Sequence, residues 1–294
     1  MTLRLRYVAM TLVLCAAAGL AQNAATPAQS PKEQAWSVLY TGLADSSVDK
    51  RTTAVQVLGL LPDDPKAAEA ALKALKDEKP DVRAAAAKAL GDMKDKAAIP
   101  QLVEMVNDKD AGVIIAAAHS LIALGDNRGY NVYYAILTGE KKSGTSLMDE
   151  QKKMLNDPKK MAQFGFEQGI GFIPFAGMGY GAFKMITKDN TSPVLAAAAI
   201  TLAKDPDPKS GEALADTAAY NKSWIVRAAA LNAMALRGET SLLPAAEAQL
   251  EDPKEEVRYS AAAAVIRLTD LKSRPAPVHK APAKPAPKAA PKKK

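Results

Sequence analysis

The feature that most constrains this chain is a short phrase that returns at a fixed step. It is clearest in Pro80-Asp-Val-Arg-Ala-Ala-Ala-Ala-Lys-Ala-Leu90, Trp224-Ile-Val-Arg-Ala-Ala-Ala-Leu231 and Glu256-Val-Arg-Tyr-Ser-Ala-Ala-Ala-Ala-Val265. Anchored on arginine, the copies stand at Arg51, Arg83, Arg227 and Arg258, and two more keep the frame with Ile114 and Leu195 in its place. The steps between anchors are 32, 31, 81, 32 and 31 residues. Six residues before each anchor lie Asp45, Asp77, Asp108, Asp189, Asn221 and Asp252, and three after it Ala54, Ala86, Ala117, Ala198, Ala230 and Ala261. The residue just before the anchor is Lys50 once and otherwise valine, at 82, 113, 194, 226 and 257. A self-similarity of this length marks stacked supersecondary units.

Each unit has a physical logic. An apolar helical segment such as Ala67 to Lys76 stops at the Asp, a polar turn follows, and an alanine-rich second helix opens near the Val-Arg pair. The Asp stands where its carboxylate can accept backbone N–H bonds or meet the arginine of its own or a neighbouring unit. The small residues let neighbouring helices approach closely. A single hairpin cannot bury its apolar face, whereas a stack can. Aromatics make up only 5% of the residues, which suits closely packed helices better than a sandwich or barrel. The expected fold class is all-α, an α-solenoid of helical hairpins with an irregular Gly-rich insertion in the middle.

The Asp, Val, Arg and Ala positions, most complete at Arg83 and Arg258, resemble the HEAT repeat family, in particular the short repeats also found in phycobilin-lyase-like proteins. The resemblance covers roughly Ala35 to Lys272 apart from the long step. It implies a curved, right-handed stack of helix pairs whose surfaces commonly bind proteins or peptides. The family spans scaffolds, inhibitors and occasional enzymes, so the fold alone fixes function poorly. The losses at Ile114 and Leu195 call into question a continuous Asp–Arg ladder through the middle.

The long step reads as one degraded repeat plus extra residues, or as an insertion. Gly125-Asp126-Asn127 echoes Gly91-Asp92-Met93, and Val132 to Leu137 follows where a first helix should start. After a charged segment from Glu140 to Lys160 comes an uncharged stretch, Gln168 to Phe183, with five glycines and Pro174. Three readings are open. The stretch folds over the side of the solenoid, it is an exposed docking surface through Phe172, Ile173, Phe175, Met178 and Tyr180, or it inserts in a membrane. Pro174 and the glycines make it a poor span.

The ends differ from the body. Arg4, Arg6, the apolar run Tyr7 to Ala18 and the small residues Gly19 and Ala21 read as an export signal cut after Ala21. The competing reading, lipidation at Cys15, has Leu14 where a small residue is needed. Cys15 is the only cysteine, so the mature chain has no disulfide, thiol nucleophile or cysteine metal site. The tail from Lys272 to Lys294 holds eight Lys or Arg and no acid. Without those eight and the two arginines of the leader, the overall +7 becomes −3 for the body. The tail is Pro-Ala-Lys low complexity that favours extended polyproline II. Its Lys280, Lys284, Lys288, Lys292, Lys293 and Lys294 either hold an anionic envelope polymer or simply solubilise.

Catalytic patterns are missing from the sequence: no His-Glu-x-x-His, phosphate loop or Gly-x-Ser-x-Gly. His119, the one histidine of the repeats, reads as structural. No cofactor is expected, and nucleic acid is disfavoured by export and the acidic body. The expected segments are a signal over 1–21, a linker over 22–34, repeats over 35–138, an insertion or degenerate repeat over 139–177, repeats over 178–272 and a disordered tail over 273–294. The functional expectation is a non-enzymatic exported scaffold with a protein or peptide partner. The alternative is an envelope-associated structural protein held through the tail and the Gly-rich stretch.

Overall fold

The computed structural model describes residues 29–138 and 192–274. Among these residues all regular structure is helical. The first half holds α1 (Pro31–Leu43), α2 (Val48–Leu58), α3 (Pro65–Ala74), α4 (Pro80–Asp92), α5 (Ile99–Met105), α6 (Ala111–Ala123) and α7 (Arg128–Thr138). The second holds α8 (Ser192–Leu202), α9 (Pro208–Tyr220), α10 (Trp224–Arg237), α11 (Leu243–Glu247) and α12 (Glu255–Ser273). The first helix begins at Pro31, four residues ahead of the expected start of the repeats. Ser30 and Glu33 form a reciprocal capping box there, with proline at the first helical position. Other starts are also written locally: Asp64 and Asp207 cap α3 and α9, each followed by proline.

The alanines three residues after the anchors explain the close approach of the second helices. Ala54, Ala86, Ala117, Ala230 and Ala261 are all fully buried. Seven residues after the anchors a second column, Leu58, Leu90, Leu121, Met234 and Val265, is equally buried. The alanines set the spacing, and the larger side chains supply most of the apolar burial, at roughly 2 kcal/mol for a fully buried Leu or Met. Gly91 tightens the contact further, since a Cβ there would lie 2.5 Å from Ser120 Oγ.

The order of the layers in space is not their order in the chain. α10 packs between α8 and α12, and α4 packs between α2 and α6, with α7 on α6. The link between the halves runs through α12, which packs against α1 and α2. The stack therefore reads α8, α10, α12, α2, α4, α6 along its second helices. The chain positions 138 and 192 belong to the last and first layers, and the N-terminal layer docks on the C-terminal one in the centre. One continuous apolar core includes Trp36 and Leu39 of α1 as well as Tyr259 and Leu268 of α12. Gly42 makes this junction possible: a Cβ there would stand 2.6 Å from the Tyr259 ring and 2.9 Å from the Ala54 Cβ.

The Leu195 copy departs from the expected register of burial. Leu195 and Ala198 are exposed, while Ala196, Ala199 and Ile200 are buried. The reason is position: α8 is the outermost second helix, so the face that meets a preceding layer in other copies has none among the described residues.

Candidate functional site

The repeated Asp and Arg form rungs between layers. Arg83 Nε and Nη2 donate to the two carboxylate oxygens of Asp108, both at 2.8 Å, while Nη1 donates to the Asp77 carbonyl at 2.9 Å. Arg51 with Asp77 and Arg227 with Asp252 repeat this geometry. The side-chain oxygen at this position also accepts the N–H two residues on, in Asp45, Asp77, Asp108, Asn221 and Asp252. The repeated acid thus shapes its own turn and receives the arginine of the preceding layer. Burial pushes the Asp108 carboxyl up, but the Arg83 hydrogen bonds, the Asp110 N–H and the Arg83 charge outweigh it and hold it below the ordinary range. Asp77 is held down in the same way, with Arg51 as its partner.

At the junction the rung changes form. Arg258 keeps the bond to its own turn, the Asp252 carbonyl at 2.8 Å, and pairs with Glu255 at 3.3 Å. Lys50 then bridges Glu255 at 2.5 Å and Asp45 at 3.4 Å. Among the described residues Ile114 and Leu195 lie in the outer layers, so their lost arginines do not interrupt the rungs between. Leu195 is matched by Asn221 in place of the acid, and Ser192 Oγ meets Ser223 Oγ at 3.0 Å across the same interface. These charges are explained by stacking between layers.

Two surface features have no such structural explanation. The first is an open groove of about 700 Å³ along α1, lined among others by Lys32, Trp36, Ser37, Tyr40, Thr41 and Lys66. Trp36 and Tyr40, four residues apart on one helical face, stack with ring centroids 5.4 Å apart. The Lys66 ammonium lies 5.7 Å from the Trp36 ring centroid, within cation–π range. The buried Trp36 indole N–H has no hydrogen-bond partner among the described residues. The second feature is on α7, where Tyr130, Tyr133 and Tyr134 are 58%, 37% and 61% exposed. The opposite side of α7 is pressed on α6, since a Cβ at Gly129 would run into the Ala118 carbonyl and Ile122.

Neither feature was among the expected sites, although the signals were there: aromatics at helical spacings of three and four residues. His119, expected as a structural residue, is exposed on α6. Phe172, Ile173, Phe175, Met178, Tyr180 and Asp189 lie outside the described residues, as do Cys15, the leader and the tail lysines Lys280 to Lys294. Among the described residues there is no group of three or more potential metal ligands and no helix long and apolar enough to cross a membrane.

No curated protein matches the chain in sequence. Among solved structures it is similar to the complex of CpcE and CpcF of phycocyanin lyase from Nostoc sp. PCC7120, at 22% identity and a TM-score of 0.32, covering 85% of this chain and 96% of that one. It is similar also to human deoxyhypusine hydroxylase in complex with glycerol, at 18% identity, a TM-score of 0.32 and coverages of 82% and 97%. An engineered protein matches at 16% identity with a TM-score of 0.27. The model of the family of HEAT repeats matches residues 37–123 and 182–266, more than half of the sequence. With the helix pairs, the rungs and the small-residue columns in place, the chain belongs to the HEAT repeat family.

Proposed function

We propose that this protein is an exported, non-enzymatic scaffold that binds a protein or peptide partner on the surface of its HEAT stack. The observation that carries this reading is the tyrosine face of α7. Three phenol rings on one helical face are expensive to leave in water unless a partner covers them, and tyrosine is enriched where partners bind. Their ordered helix offers a preformed surface, so little side-chain or backbone freedom is lost on binding. The apolar residues Phe172, Ile173, Phe175, Met178 and Tyr180 belong to the stretch that follows α7 in the chain and are proposed to extend the contact.

The test is affinity capture from an extract of the source envelope with the wild type and with Tyr130→Ser/Tyr134→Ser. Both residues are exposed, so the variant should keep its helical circular dichroism and melting temperature while losing the partner. Capture of the same partner by a folded double variant would remove the basis for this reading. The envelope-tether alternative predicts a different pattern. Removal of residues 275–294 would then release the protein from the envelope fraction, and the tyrosine variant would stay bound.

A further inference from the structure

The last helix ends beside the α1 groove. Asp270, one turn before the end of α12, is paired with Lys32, and Lys32 lines the groove. Arg274, which caps α12, reaches Asp63 at 3.4 Å. Asp63 is three residues before Lys66, whose ammonium sits over Trp36. The 20 residues that follow Arg274 therefore start at the rim of the groove. Their opening is Pro275-Ala-Pro277-Val278, which carries no charge and precedes the first tail lysine, Lys280.

We propose that Pro275 to Val278 of this same chain dock along the α1 groove as a short polyproline II segment, seated on Tyr40 and the edge of Trp36. Lengths agree: four residues of polyproline II span about 12 Å, and the eight-residue helical rise from Lys32 to Tyr40 is about 12 Å. The chemistry agrees too. Aromatic-lined grooves take proline-rich segments because the ligand is already extended and loses little freedom. Prolines bring no N–H that would need a partner in an apolar seat.

The experiment uses a fluorescein-labelled peptide with the sequence of residues 275–284 and follows its anisotropy on adding protein. Two proteins are compared, the full chain and the chain ending at Arg274. If the tail occupies the groove in cis, the shortened chain binds the peptide and the full chain binds it at least tenfold more weakly. Tyr40→Ser in the shortened chain should weaken the peptide several-fold while the chain keeps a cooperative melt, because Tyr40, which stacks on Trp36, is 48% exposed. Three results would overturn the proposal. One is no binding to the shortened chain up to millimolar concentration. Another is equal binding to both chains, which leaves the groove open for an outside partner such as an acidic peptide. The third is a full-length dimer in sedimentation that disappears with the tail, which assigns the groove to a second copy.

Discussion

Replacing Arg83 by Met probes a buried rung of the ladder. The Arg83 and Asp108 side chains are 7% and 9% exposed and joined by two parallel bonds of 2.8 Å. The substitution keeps most of the aliphatic volume and removes the guanidinium. Asp108 is left with only the Asp110 N–H, and the carbonyls of Asp77 and Glu78 lose their shared donor. Breaking a buried pair by deleting one partner costs roughly 3–5 kcal/mol, because the remaining charge is stranded. For a body of this size that lowers the melting temperature by roughly 6–20 °C. The loss should fall on the α4–α6 interface, since each layer of a solenoid contacts only its neighbours.

The pH dependence gives the sharper result. The folded pKa of Asp108 is below its ordinary 3.8. Its contribution is therefore fully present above about 3.8 and is lost as pH falls through the folded value. In Arg83→Met burial is opposed only by the Asp110 N–H and the Lys109 charge, so the carboxyl moves up from its wild-type value and protonation relieves it. Urea unfolding followed by circular dichroism should show the full gap between wild type and variant at pH 7 and a narrower one at pH 3. A gap below about 1 kcal/mol at pH 7 would mean the rung behaves as a screened surface pair. An identical gap at both pH values would show that the loss comes from packing, and either result refutes the reasoning.

Three further outcomes follow from the layer order. Gly42→Ala should cost about 1–3 kcal/mol by overpacking against Tyr259 and Ala54, with Tyr259→Leu in the same chain restoring part of it in thermal melts. Ala86→Leu and Ala261→Leu should each cost about 1–3 kcal/mol, whereas Ala198→Leu, on the exposed face of α8, and Ala289→Leu in the tail should leave the melting temperature unchanged. A circular permutant that joins Arg274 to Gln29 through a short flexible linker, and opens the chain between Asn156 and Asp157, should fold with its α1–α12 contact intact. Its Lys32–Asp270 pairing shows that the joined ends are already close, and a permutant without cooperative melting would contradict the assigned stacking order.

Sequence by itself determined the unit. The step of 31–32 residues, the Asp six before the anchor and the alanine three after it specify a turn, a helix start and a small-residue contact, all local or nearest-neighbour properties. Asp77 and Asp108 show this best, since each makes its Asx bond and receives its arginine as the spacing implies. The candidate surfaces were half legible. The i, i+4 pair Trp36 and Tyr40 and the cluster Tyr130, Tyr133, Tyr134 are visible as patterns, but a pattern on an amphipathic helix does not say which face is covered. Tertiary structure alone decided that α12 stacks on α1 and α2, that the losses at Ile114 and Leu195 fall in the outer layers, and that the tail begins at a groove. Identical units carry identical local signals, so the repeats contain no information on which unit follows which in space. That choice rests on a few contacts between residues some 200 positions apart, such as Gly42 under Tyr259 and Lys32 beside Asp270.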